Sequence, residues 1–152
     1  MKTVNLIIIY YMKQKIQLLV IIPARAKSKK LKNKNIRRLG GHPLIAYSIA
    51  LAKMTEGIDK VIVSTDSKEY AEIAEKYGAE VPFLRPKQLS QDSSTDYDFM
   101  SHAVKWFDDN TSAVPDFWIH LRPTTPLRDP NIVKKAMSLI LFGEMLLKAS
   151  KK

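Results

Sequence analysis

The feature that most constrains this chain is a junction. Five apolar residues, Leu18-Leu-Val-Ile-Ile22, run into Pro23 and then into a stretch dense in positive charge. A short continuous apolar run rich in branched side chains is the pattern of a strand buried on both faces. From Arg25 to Arg38 the basic residues are Arg25, Lys27, Lys29, Lys30, Lys32, Lys34, Arg37 and Arg38, with no acid among them. The chain must therefore fold so that a buried strand delivers a cationic loop to the end of a sheet.

The remaining pattern says what covers that strand. Pro43 is expected to open a helix through Met54, since proline suits the first helical position, and Gly57 breaks it. Lys60 to Ser64 reads as a second buried strand. Asp66 or Ser67 can cap a helix through Tyr77, in which Tyr70, Ile73, Ala74 and Tyr77 give an apolar stripe. Gly78 is its stop. Glu80 to Leu84 is expected as a third strand, followed by a polar loop from Arg85 to Ser94. Thr95 to Asp108 reads as a helix and Asp116 to Leu121 as a fourth strand. Asp129 caps a last helix from Pro130 to Ile140 or beyond. Strands alternating with helices imply βαβ units, a mainly parallel sheet and an α/β fold. Ligands of such sheets bind outside the carboxyl ends of the strands, so the loops after Ile22, Ser64, Leu84 and Leu121 are the candidate site.

A net charge of +10 points to an anionic partner: nucleic acid, nucleotide or acidic membrane. The chain has no cysteine, which excludes disulfides and thiolate metal sites and fits a cytoplasmic protein. Leu6 to Met12 is apolar, but Lys13, Gln14, Lys15 and Gln17 interrupt it. No uninterrupted apolar run reaches the roughly 20 residues of a membrane span, and no small-residue cleavage site marks a signal peptide. Residues 1–15 are read as an N-terminal extension, with Met12 an alternative start; a short extra strand is the competing reading.

Arg25, Lys29 and Lys34 in the loop after the first strand can wrap a triphosphate. Arginine offers a planar fork to phosphate oxygens and lysine a mobile point charge; both favour departure of pyrophosphate by neutralising the charge that builds on it. The alternative is a solvated basic face.

Five segments carry a resemblance. Ile21-Ile-Pro-Ala-Arg25 with Ser28-Lys29 and Lys34-Asn-Ile36 resembles the signature loop of cytidylyltransferases that activate sialic acids, the acylneuraminate cytidylyltransferase (CMP-sialic acid synthetase) family. Gly41-His-Pro-Leu-Ile-Ala-Tyr47, Val61-Ile-Val-Ser-Thr-Asp66, Tyr77-Gly-Ala-Glu-Val-Pro-Phe-Leu-Arg-Pro86 and Leu121-Arg-Pro-Thr-Thr-Pro-Leu-Arg128 resemble its later segments, in order and at compatible spacing, across about Ile16 to Met137. The resemblance implies a Rossmann-like nucleotidyltransferase with three α/β/α layers. It implies transfer of a nucleotidyl group from CTP to a nine-carbon sugar acid, giving a CMP-sugar and pyrophosphate with magnesium as cofactor. Arg25 and Lys34 would be catalytic, on the triphosphate. Arg25, Lys29, Lys34, Asn35 and Arg85 would bind the nucleotide. Arg122 and Thr124 would face the sugar acid.

The sequence also departs from that pattern. The basic loop has no glycine between Pro23 and Asn35, where relatives are often glycine-rich; Ala26, Lys27 and Lys30 stand at the expected glycine positions. Arg122 stands where many relatives have glutamine, and a cation there can meet the substrate's carboxylate. Asp96 falls where a small hydroxyl residue is common. Relatives continue further, with later strands, a dimerisation arm and the acids that hold magnesium; none is visible, so no metal ligand is assigned. The nucleotidyltransferase domain is assigned to residues 16–142, as incomplete and lacking its C-terminal strands, with a basic tail over 143–152. That tail reads either as the end of an amphipathic helix or as an early stop or frame change, the second being favoured. A homodimer would have to form without the family's dimerisation region.

Two other readings stand beside the enzyme: a truncated non-catalytic nucleotide-binding fragment, and a nucleic-acid-binding module built on the basic loop. The second is disfavoured because the loop lacks interleaved aromatics, so neither nucleic acid nor membrane is an expected partner. His42, His102 and His120 lack metal-site spacing and are expected to be structural. Asp66 is read as a helix cap or a ribose or metal contact. Asp92, Asp96 and Asp98 are read as charges at a helix start. Trp106 and Trp118 are expected in the core or an interface.

Overall fold

A computed structural model describes residues 17–28 and 31–150. The elements run β1 (Leu18–Pro23), β2 (Arg38–Leu39), β3 (His42–Pro43), α1 (Leu44–Met54), β4 (Lys60–Ser64), α2 (Lys68–Lys76), α3 (Asp96–Asn110), β5 (Phe117–His120) and α4 (Pro130–Ser150), with short 3-10 turns at Lys34–Ile36 and Lys87–Ser90. The extension assigned to residues 1–15 lies outside the described residues. Among the described residues no helix is long and apolar enough to cross a membrane.

The apolar run becomes the central strand of a parallel sheet ordered β4-β1-β5. On one side Leu19 to Pro23 pair with Lys60 to Ser64; on the other Leu18 to Ile21 pair with Phe117 to His120. Alternation along the strand then makes two cores. Leu18, Val20 and Ile22, with Val61 and Val63, face Ile45 and Ile49 of α1, Tyr70 and Ala74 of α2, and Val133 and Met137 of α4. Leu19, Ile21 and Ile62 face Phe99, Ala103 and Phe107 of α3, with Trp106 and Trp118 packed alongside. Leu19 to Ile22 are at most 1% exposed, which is why every residue of this run is apolar. Helices on both faces of the sheet give the three α/β/α layers.

The expected third strand is reduced to two parallel bridges, Glu80 with Ile62 of β4 and Leu84 with Thr65 just past its end. Three steps from Ile62 to Thr65 are matched by four along the outer segment, so one residue is surplus, as in a bulge. Pro82 lies between the bridges and has no N–H to donate, which confines such a segment to an edge.

The first helix begins one residue later than expected. Pro43 is extended (ψ 145°) and precedes the helix as its cap residue. It belongs to a hairpin in which Arg38 pairs with Pro43 and Leu39 with His42. The turn is Gly40-Gly41, both at positive φ (54° and 90°), the backbone that a two-residue hairpin turn demands. At α2 the cap is Ser67, whose hydroxyl accepts the N–H of Tyr70 at 3.3 Å. Asp129 caps α4 by accepting the N–H of Asn131 at 2.8 Å. The last helix then continues unbroken through Ser150, across the start of the stretch assigned to a basic tail.

Candidate active site

β4 and β5 leave β1 in opposite directions, which makes the carboxyl end of β1 the point where the strand order reverses. Parallel α/β sheets leave a crevice there. A cleft of about 240 Å³ opens at that point, lined by Pro23, Arg25, Lys34, Asn35, Arg85, Gln91, Ser94, Thr95, Asp96, Phe99, Arg122, Pro123 and Thr124. Six of the seven site residues expected from the sequence line it. The seventh, Lys29, lies outside the described residues, as does Lys30.

The basic loop is held by hydrogen bonds at several points. The Ala24 N–H donates to the Ser64 carbonyl at 2.9 Å. The Ala26 N–H donates to Asp66 Oδ1 at 2.8 Å. Asn35, only 6% exposed, donates from Nδ2 to the Arg25 carbonyl at 3.1 Å. Asp66 is therefore an anchor of the loop, while Ser67 caps the helix. Ala26 and Lys27 do not need glycine's freedom, because Asn33 is the one non-glycine residue of positive φ among the described residues (55°). Asparagine tolerates that region well. It brings the chain into the turn that carries Lys34 and Asn35.

Each arginine of the cleft has a distinct partner. Arg25 spans to the segment before α3, donating to the Gln91 carbonyl and pairing with Asp92 Oδ1 at 3.0 Å. Arg85 is 6% exposed. It donates through Nη2 to the Ser64 carbonyl and lies 5.3 Å over the Phe99 ring. Its Nε is buried without a protein partner. Burial pushes its pKa down to about 10, with the Asp66 carboxylate opposing and Arg25 adding to the shift, so it remains a cation at neutral pH. Arg122 donates through Nη2 to Asp96 Oδ2. Among the described residues, four cations thus line the cleft against the single acid Asp96.

α3 starts at the cleft. The Thr95 N–H and hydroxyl donate to Asp98 Oδ2 at 2.6 and 3.0 Å, which closes the helix start. Of the three acids read as helix-start charges, Asp98 serves the cap, and Asp92 and Asp96 pair with the cleft arginines. Those two pairings escaped sequence reasoning, since their partners are 67 and 26 positions away, as the numbers of Arg25–Asp92 and Arg122–Asp96 show.

The His120 ring packs edge-on to Phe99 at 5.2 Å, with Nδ1 3.8 Å from Asp96 Oδ2. The His102 ring packs edge-on to Phe83 at 4.7 Å. Burial pushes both pKa values down; Asp96 opposes this at His120, and Arg85 adds to it at His102. His42 sits on the hairpin, 3.1 Å from the Tyr77 hydroxyl. Among the described residues no group of three or more His, Asp or Glu side chains could hold a metal ion.

Comparison with known proteins agrees with the fold. A family model described as cytidylyltransferase matches residues 19–140. The chain is 42% identical over 123 residues to the N-acylneuraminate cytidylyltransferase of Escherichia coli O18:K1:H7, covering 81% of this chain and 28% of that protein. It is 38% identical over 129 residues to the CMP-N,N'-diacetyllegionaminic acid synthase of Legionella pneumophila, covering 81% and 53%. It is 40% identical over 118 residues to a pseudaminic acid cytidylyltransferase of Campylobacter jejuni, covering 78% and 50%. The chain therefore spans between 28% and 53% of the length of these relatives. Among solved structures, a CMP:2-keto-3-deoxy-manno-octonic acid synthetase complexed with CTP superposes with a TM-score of 0.66 at 21% identity, over 80% of this chain and 46% of that one. At that identity the likeness speaks for the fold.

Proposed function

Because this chain belongs to the cytidylyltransferase family, we propose that its cleft binds CTP and a nine-carbon sugar acid of the sialic, legionaminic or pseudaminic type, and supports transfer of the cytidylyl group between them. The observation that carries this reading is the gathering of Arg25, Lys34, Asn35, Arg85, Arg122 and Thr124 around one cleft at the strand-order reversal. The relatives named for those three acids support the substrate class.

In the proposed reaction the anomeric hydroxyl of the sugar acid attacks the α-phosphorus of CTP. The bond from that phosphorus to the bridging oxygen breaks, pyrophosphate leaves, and the hydroxyl proton passes to solvent. Arg25 and Lys34 stabilise the departing pyrophosphate, with Lys29 joining them on the triphosphate. Asn35 and Arg85 lie beside the nucleotide. Arg122 and Thr124 face the sugar acid. The contribution of these residues is positioning and charge, the usual protein share of nucleotidyl and phosphoryl transfer.

The described residues do not fit a protein-held magnesium ion. Asp92 and Asp96, the carboxylates nearest the cleft, are engaged by Arg25 and Arg122, and no third ligand converges with them. Magnesium enters the proposal only as a counter-ion carried on the nucleotide's phosphates.

The test is an assay of pyrophosphate release by the purified chain with CTP and a panel of nine-carbon acids. Release that requires both CTP and one of the acids supports the reading. CTP binding without release leaves a nucleotide-binding domain and removes the claim of transfer.

A further inference from the structure

We propose that Asp96 is a positioning residue for the sugar-acid half of the cleft, acting through Arg122; the inference rests on the function proposed above. Arg122 is fixed at both ends. Its carbonyl accepts from Arg128 Nη2 at 2.9 Å and from the Ser48 hydroxyl at 3.4 Å, which ties the exit of β5 to α1. Its guanidinium is held by Asp96, in the first turn of α3. The side chain therefore bridges β5 and α3 across the mouth of the site.

Asp96 is free for this task because the cap belongs to its neighbour. Asp98 takes the Thr95 N–H and hydroxyl, so the carboxylate of Asp96 is not needed at the helix end. His120 Nδ1 lies 3.8 Å from the same Asp96 oxygen. Arg122 is the closer partner, and its side chain is 58% exposed, which leaves guanidinium donors open to the cleft. An arginine has five N–H donors in a rigid fork. Holding one edge of that fork on Asp96 aims the other edge and removes the rotamer entropy that ligand binding would otherwise have to cost. The pair also carries no net charge, so Arg122 recognises its ligand through directed hydrogen bonds rather than as an unpaired cation. Arg122 and Asp96 thus form one coupled unit.

The test is calorimetry on the full chain with CTP, and then at saturating CTP with 2-deoxy-N-acetylneuraminate, which lacks the attacking hydroxyl and cannot turn over. The variants are Asp96→Asn, Asp96→Glu, Arg122→Gln and the Asp96→Asn/Arg122→Gln double. The proposal expects Asp96→Asn to weaken the analogue about tenfold, Asp96→Glu to keep part of the affinity, and Asp96→Asn to add nothing once Arg122 is glutamine. Unchanged or tighter binding by Asp96→Asn overturns it, because Asp96 would then be idle or would compete with the ligand. A full effect of Asp96→Asn in the Arg122→Gln background overturns it too. Wild-type protein that binds CTP but not the analogue refutes the positioning role and leaves the nucleotide reading standing. Wild-type protein that does not bind CTP ends both.

Discussion

The carboxylate of Asp66, at the exit of β4, accepts the backbone N–H of Ala26 at 2.8 Å and so fixes the start of the basic loop that leaves β1. The two residues are 40 positions apart in sequence, yet parallel pairing of β1 with β4 carries both chain exits to the same edge of the sheet.

Asp66→Ala removes that acceptor and leaves a part-buried N–H without a partner. Unfolding in urea should show a loss of about 1–3 kcal/mol. CTP affinity should fall as well, because Arg25 sits one residue before the released amide. Asp66→Asn keeps an oxygen acceptor and should lose less of both. A variant with lower stability but unchanged CTP affinity would separate the anchor from the site.

Arg25→Ala should cut CTP affinity roughly 10- to 100-fold, the range expected for charge-assisted hydrogen bonds. Its effect on stability should be small, since the Arg25–Asp92 pair is partly exposed (31% and 39%) and exposed pairs stabilise little. Arg25→Lys should restore only part of the affinity, because an ammonium lacks the fork. Calorimetric titration with CTP and a melting curve for each variant check both halves.

Ile22→Ala should destabilise the fold by about 2–5 kcal/mol, the usual cost of a buried isoleucine truncated in a packed core. Ile22 is 0% exposed and meets the helices of one face. Denaturant unfolding measures it, and Leu139→Ala, at a side chain 64% exposed, serves as the surface comparison.

His102 and His120 are partly buried, which favours the neutral ring and holds each pKa below the ordinary 6.5. In the unfolded chain both rings take up a proton as pH falls through that value, and in the native state they resist it. Unfolding then binds protons, so stability should drop as pH falls below about 6.5 and be indifferent to these groups above it. Melting temperature against pH for the His102→Gln/His120→Gln variant should show a shallower acid limb than wild type. An unchanged acid limb would assign the loss to carboxylates instead.

What the sequence made legible follows from the range of each signal. β1 holds a continuous apolar run and β4 an apolar centre from Val61 to Val63, so their existence and burial could be read locally. Ser67 and Asp129 mark helix starts with side chains that bind nearby backbone N–H groups, and Gly78 marks a helix stop through its positive φ of 88°. The outer segment from Glu80 to Leu84 looked like a strand by composition, but Pro82 and a surplus residue limit its pairing to two bridges. The Gly40-Gly41 hairpin has arms of two residues each, too short for any alternation to show. The candidate cleft was legible through the order of its segments: Arg25, Lys34, Asn35, Arg85, Arg122 and Thr124 all line it. Its acids were not, because the sequence gives the charge of Asp66, Asp92 and Asp96 but not the distant group that each one meets.

The most direct test of a CTP site on this scaffold is a thermal-shift titration of the purified chain with CTP and magnesium, with ATP, GTP and UTP beside it. A ligand that binds only the folded state stabilises it by RT ln(1 + [L]/Kd), about 2.7 kcal/mol at a hundredfold excess over Kd. The account predicts a stabilisation by CTP that exceeds that of the other three nucleotides and is lost in Arg25→Ala and Lys34→Ala. Equal shifts with all four nucleotides, or a CTP shift that survives both substitutions, would contradict it.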